Sequence, residues 1–131
     1  MAERLKLTGV VYSDLGRAAS FMAVAGVAAA MRAALGFDAY PGTLNVKLDT
    51  PEARAVWSGV RESAGIPIAA GGGFCAARCF PALIEGDYRG AVILPDVPGY
   101  PADKLEIVAA VRLKDALKLA DGAQLTLEFV D

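Results

Sequence analysis

Residues 5–12 alternate apolar and polar positions loosely, the period-two pattern of a strand with one buried face. Residues 13–20 read as a loop around Gly16. Residues 21–35 are made mostly of good helix formers, so a helix is expected there, with Gly36 as its stop. Its near-absence of polar side chains predicts packing on several sides. Residues 43–48 return to strand alternation. Thr50-Pro51-Glu52 then opens a second helix, with Thr50 as N-cap and Pro51 at the first helical position, running to about Glu62. Residues 65–73 are rich in turn formers. A strand is expected over 74–84, interrupted near Pro81, and a turn at 86–88 leads into a strand at 89–94, the two forming a hairpin. Residues 95–101 form a Pro/Gly-rich loop fit to rim a pocket. A strand at 104–108, a helical turn at 113–117 and a closing strand at 124–130 complete the pattern.

Short strands with two helices and no βαβ alternation predict a mainly β, α+β fold: a small, partly closed barrel rather than a doubly wound sheet. There are no internal repeats and no linker. With 131 residues the chain is expected to be a single domain, 1–131, with its own core.

Composition narrows the chemistry. Thirteen basic and fifteen acidic residues leave a net charge of −2. That balance argues against a nucleic-acid coat or a polybasic membrane patch. There is no His, which removes the commonest general base and the commonest zinc ligand. Cys75 and Cys79 would lie about 13 Å apart on one strand face, too far for a disulfide or a shared metal. Two free thiols fit a reducing cytoplasm, the expected location. No segment reaches the ~20 apolar residues of a membrane span. The Ala-rich run at 21–30 is flanked by Asp14 and Arg32, unlike a signal peptide.

Thr43 and Asn45 share one strand face, while Leu44 and Val46 face a core. A hydroxyl and an amide oxygen two residues apart suit Mg2+ when substrate phosphates and water supply the other ligands. Spacing alone favours the plainer reading of a strand that carries two polar residues on its wet face.

The stretch Gly36-Phe37-Asp38-Ala39-Tyr40-Pro41-Gly42-Thr43-Leu44-Asn45-Val46-Lys47-Leu48 resembles the signature of the CTP-dependent riboflavin kinases, a family best known from archaea. Further pieces follow in that family's order: Gly73-Phe74, Gly90-Ala91-Val92-Ile93-Leu94-Pro95, Leu105-Glu106-Ile107-Val108-Ala109, Arg112-Leu113-Lys114 and Leu119-Ala120-Asp121-Gly122. The resemblance covers almost the whole chain. It implies a six-stranded cradle-loop barrel and transfer of a phosphoryl group from CTP to riboflavin, giving FMN, with small-molecule partners only.

It also implies roles. Thr43 and Asn45 match the Mg2+ ligands. Glu106 matches the acidic residue set against the flavin, where a carboxylate accepts a hydrogen bond from a ribityl hydroxyl or takes its proton. Val111, Arg112, Leu113 and Lys114 match a nucleotide-binding segment, in which the two cations suit phosphates. Leu15, Gly16 and Arg17 fall in the Gly-rich loop that holds the donor. Phe37, Tyr40, Phe74 and Tyr100 are candidates for the walls of a flavin pocket, with Tyr100 assigned to substrate binding; Trp57 is expected to be a packing anchor.

The sequence departs from the family at the first loop, where Asp14-Leu15-Gly16-Arg17-Ala18 stands in place of a pattern close to Gly-Leu-Gly-x-Gly. Fewer glycines limit the close backbone approach that a phosphate cradle uses. Ala110 stands where Pro is usual, and Pro98 where a Thr is common. These departures leave open a binding module on the same barrel that holds a flavin or nucleotide without turnover. A third reading, a DNA-binding relative of swapped-hairpin barrels, rests on the pattern at 119–127 and is opposed by the acidic balance.

Overall fold

A computed structural model describes residues 5–13, 25–40, 43–68, 76–96 and 98–130. Among these residues there are seven strands: β1 (Leu5–Tyr12), β2 (Leu44–Lys47), β3 (Ile66–Ile68), β4 (Ala77–Ile84), β5 (Tyr88–Pro95), β6 (Lys104–Ala109) and β7 (Gln124–Phe129). Three helices join them: α1 (Ala25–Leu35), α2 (Pro51–Arg61) and the one-turn α3 (Leu113–Ala116). Six strands close in the order β4-β5-β6-β2-β1-β7, every pair antiparallel, because β7 returns to pair with β4 through Ala82↔Phe129 and Ile84↔Leu127. The barrel is therefore closed, where the pattern alone suggested partial closure. Closure removes the exposed edges that an open sheet would present.

Strand alternation sorts the side chains. Leu7, Val11, Leu44, Val46, Phe80, Ile84, Val92, Leu105, Ile107, Leu125 and Leu127 fill the interior. Trp57 from α2 joins them, edge-on to Phe80 and stacked on Phe129, which makes it the anchor expected of it. Thr50 caps α2 by accepting from Ala53 N at 3.1 Å. The alternate residues Ala77, Cys79, Ala91, Ile93 and Val108 face outward into a second apolar cluster with Met31 of α1 and Ile68 of β3. Both faces of β5 are thus covered, which explains its unbroken apolar run.

Several expectations need correction. Among the α1 side chains described, Met31 is buried and Ala34 and Leu35 pack against the same cluster, while Ala29, Arg32 and Ala33 are exposed. Gly36 does end the helix, at φ +79° with its N–H on Arg32 O. Residues 66–68, expected as turn, pair with β4 as the edge strand β3; an edge position tolerates Pro67. Nor does Pro81 interrupt β4, which pairs continuously through Pro81↔Ala91. The Pro81 carbonyl accepts from Val130 N, on the side away from β5. The ring nitrogen lies on that same side, between the stretches of β4 that pair with β3 and β7, so no ladder bond requires its missing N–H. The hairpin is tighter than expected: the turn is 85–87, with Glu85 at φ 53° and Gly86 at φ 71°.

Candidate active site

One row of cross-strand neighbours organises the outer face. Tyr12 lies opposite Asn45, Asn45 opposite Glu106, Glu106 opposite Ile93, Ile93 opposite Cys79 and Cys79 opposite Ile66. Half of the row is polar and half belongs to the apolar cluster under α1. A carboxylate, an amide and an apolar wall are thus set side by side by register alone.

Among the described residues Asn45 is the one buried polar side chain, 6 % exposed. Its Oδ1 and the Thr43 Oγ1 are both buried without a hydrogen-bond partner. An unpaired buried oxygen costs about 1–3 kcal/mol. Two of them, two residues apart, form an electron-rich pair suited to a hard cation, so the Thr43/Asn45 set fits Mg2+ on an observation independent of the sequence pattern. No group of three or more acidic or cysteine side chains capable of holding a metal is present among the described residues. Neutral oxygens are the donors available.

Glu106 is half-buried in the middle of β6. Tyr100 donates its hydroxyl to Glu106 Oε2 at 2.6 Å, and Lys104 Nζ lies 4.0 Å from Oε1. The Lys104 ammonium also sits 5.8 Å from the centre of the Tyr100 ring. Lys104 is absent from the residues singled out in the sequence, although its place two residues before Glu106 puts it on the same face. It lies opposite Lys47, so two cations stand beside the Asn45–Glu106 pair.

Tyr100 also lines a cavity of about 600 Å³ with Pro67, Ile68, Ala77, Leu94 and Arg78. Phe37 lines a different cavity, of about 350 Å³, with Pro81 and Arg89. Tyr40 is exposed, its N–H bonded to Ala109 O. Phe74 lies outside the described residues, as do Leu15, Gly16 and Arg17.

The segment 111–114 lies at the barrel end where Thr43, Ser13 and the turn before β7 also lie. Val111 and Arg112 are exposed, while Leu113 is buried in the barrel core, so only its backbone is offered to a ligand. Arg112 pairs with Asp115 at 2.7 Å. Lys114 donates to Ser13 Oγ at 2.9 Å and lies 3.6 Å from Asp121. Both cations are already matched to carboxylates.

A family model named for the CTP-dependent riboflavin kinases, with the description "Domain of unknown function DUF120", matches residues 11–129. The chain is 33 % identical over 127 residues to a riboflavin kinase of Aeropyrum pernix, with 94 % of each protein covered. It is 37 % identical over 131 residues to a riboflavin kinase of Pyrobaculum calidifontis and 36 % identical over 128 residues to one of Methanosarcina mazei. Those alignments cover 95 % and 92 % of this chain but 59 % and 54 % of the two longer relatives.

Proposed function

Because the chain belongs to the family of the CTP-dependent riboflavin kinases, we propose that it phosphorylates riboflavin to FMN with CTP as donor and Mg2+ held by Thr43 and Asn45. The observation that supports this reading most is the pair of unpartnered buried oxygens beside Glu106 on one face of the barrel. Bound there, Mg2+ would neutralise charge on the transferring phosphoryl group. The protein's own part is placement. Glu106 accepts a hydrogen bond from the ribityl hydroxyl that receives the phosphoryl group. With Tyr100 on one oxygen and Lys104 near the other, the Glu106 carboxylate is held in place, and its role is to orient the acceptor. The cavity beyond Tyr100 has the size that a flat flavin ring requires, with Ile68, Ala77 and Leu94 as apolar wall and Arg61, Arg78 and Asp96 as charged lining. Arg112, Lys114 and the backbone of 111–114 steady the donor.

A second reading, a binding module without turnover, is supported by the pairing of Arg112 and Lys114 with carboxylates and by the altered loop sequence at 14–18. Measuring FMN formation from riboflavin, with CTP, ATP, GTP and UTP offered separately, with and without Mg2+, separates the two. Turnover with CTP and Mg2+ is expected. Folded protein that binds flavin but turns over no donor would replace the kinase with the binding module.

A further inference from the structure

Three segments distant in sequence meet in one polar knot at the donor end of the barrel. Ser13, just after β1, donates its hydroxyl to Asp121 Oδ1 at 2.8 Å. The Ser13 oxygen accepts from Lys114 Nζ at 2.9 Å, and that ammonium lies 3.6 Å from Asp121 Oδ1. An ammonium only donates, so the chain of bonds runs one way, from Lys114 to Ser13 to Asp121. The Ser13 hydroxyl first, and Lys114 after it, hold the Asp121 carboxyl below the usual carboxylate range. Two backbone bonds brace the junction: Gly122 N to Val11 O and Val11 N to Ala123 O, each 2.8 Å.

Ser13 and Asp121 are exposed and Lys114 is half-buried, so the knot adds little to the core. Its position matters more. Lys114 belongs to 111–114, a segment assigned to the donor. Among the described residues Asp121 is the one carboxylate in contact with both Ser13 and Lys114. Arg112 differs, because its partner Asp115 lies in the same short segment and ties nothing else to it.

We infer that Asp121 is a positioning residue for the donor: through Ser13 it holds Lys114 in place toward the donor's phosphates. The inference rests on the donor site proposed above. Lys114 spends one of its three N–H donors on Ser13, which leaves others for a phosphate oxygen.

The test is calorimetric titration of CDP with Mg2+ into the full chain and into Asp121→Ala, Ser13→Ala, Lys114→Ala and the Asp121→Ala/Lys114→Ala pair, with steady-state kinetics alongside. Asp121→Ala and Ser13→Ala are expected to weaken CDP about three- to tenfold and to raise the KM for CTP by the same factor. The kcat and the KM for riboflavin stay unchanged. Adding Asp121→Ala to Lys114→Ala costs nothing further, as it must if one residue acts through the other. Ser13 is exposed beyond a strand end, so Ser13→Ala keeps the test alive if Asp121→Ala does not fold. Unchanged CDP affinity in Ser13→Ala, additive losses in the pair, or a parallel change in the KM for riboflavin overturns the inference. Failure of the unsubstituted chain to bind CDP overturns the donor site itself and the inference with it, and is recognised because every variant is then equally silent.

Discussion

Asn45 and Glu106 are direct cross-strand partners on β2 and β6, with both side chains on the outer face of the barrel. Residues so paired stand about 5 Å apart at Cβ. A metal held by Asn45 and an acceptor held by Glu106, as proposed above, would therefore be neighbours by backbone register, with no loop needed to bring them together. The site rests on the most constrained part of the molecule.

The metal assignment is tested by replacing Thr43 and Asn45 together with Ala. Activity that depends on Mg2+ is expected to vanish. Stability of the metal-free protein should hold or rise by about 1 kcal/mol, because two unpartnered buried oxygens are removed. Chemical denaturation reads the second effect and FMN formation the first. Retained turnover in the double variant rules out these ligands.

Glu106→Ala is expected to lower kcat/KM for riboflavin about 10- to 100-fold, the worth of one hydrogen bond to a charged group. Tyr100→Phe removes the donor on Oε2 but leaves the carboxylate, so its effect should be under ~10-fold. A larger loss from Tyr100→Phe than from Glu106→Ala would mean that the tyrosine hydroxyl, not the carboxylate, meets the substrate.

Local signals in the sequence carried much of this arrangement. The alternation at 5–12 matches β1 to the residue, and Thr50-Pro51 marks the start of α2 because capping is chemistry within four residues. Alternation likewise placed Thr43 and Asn45 on the face opposite Leu44 and Val46, whereas Glu106 was singled out by the family resemblance alone. It was silent on register, so neither the Asn45–Glu106 pairing nor the β4–β7 closure was visible; both join residues far apart in the chain. The strand β3 was hidden by its own Pro67, and Pro81 suggested a break that the change of partner along β4 makes unnecessary. Lys104 and Asp121 were overlooked for the same reason as the closure, since their importance lies in what long-range packing sets beside them.

Gly90 tests how tightly β5 and β6 are joined beside the site. A Cβ there would lie 2.5 Å from both the Val108 carbonyl oxygen and Ile84 Cδ1. Backbone cannot yield as a side-chain tip does, so Gly90→Ala should destabilise the fold by about 1–3 kcal/mol. Gly59→Ala meets open space in a helix and should be neutral or stabilising by up to ~1 kcal/mol. Equal denaturation midpoints for the two variants would refute the close approach.

Cys79 sits in the apolar half of the same row, fully buried, and burial pushes its thiol up to about 11. The unfolded chain releases that proton near pH 8.5. The folded pKa is raised, so the stability linked to the protonated thiol is complete below about pH 8.5 and is lost as pH climbs from there to about 11. The slope in that window approaches ~1.4 kcal/mol per pH unit from this group. Tyrosines and lysines titrate in the same range, so the comparison must be with Cys79→Ala, both in a Cys75→Ala background. Urea denaturation from pH 7 to 10.5 should show the Cys79 protein ahead at pH 7, by the packing of one sulfur, with the gap closing steadily above pH 8.5. Two parallel curves would mean that the thiol ionises as readily in the folded barrel as in the unfolded chain, and that the outer cluster beneath α1 is open to water.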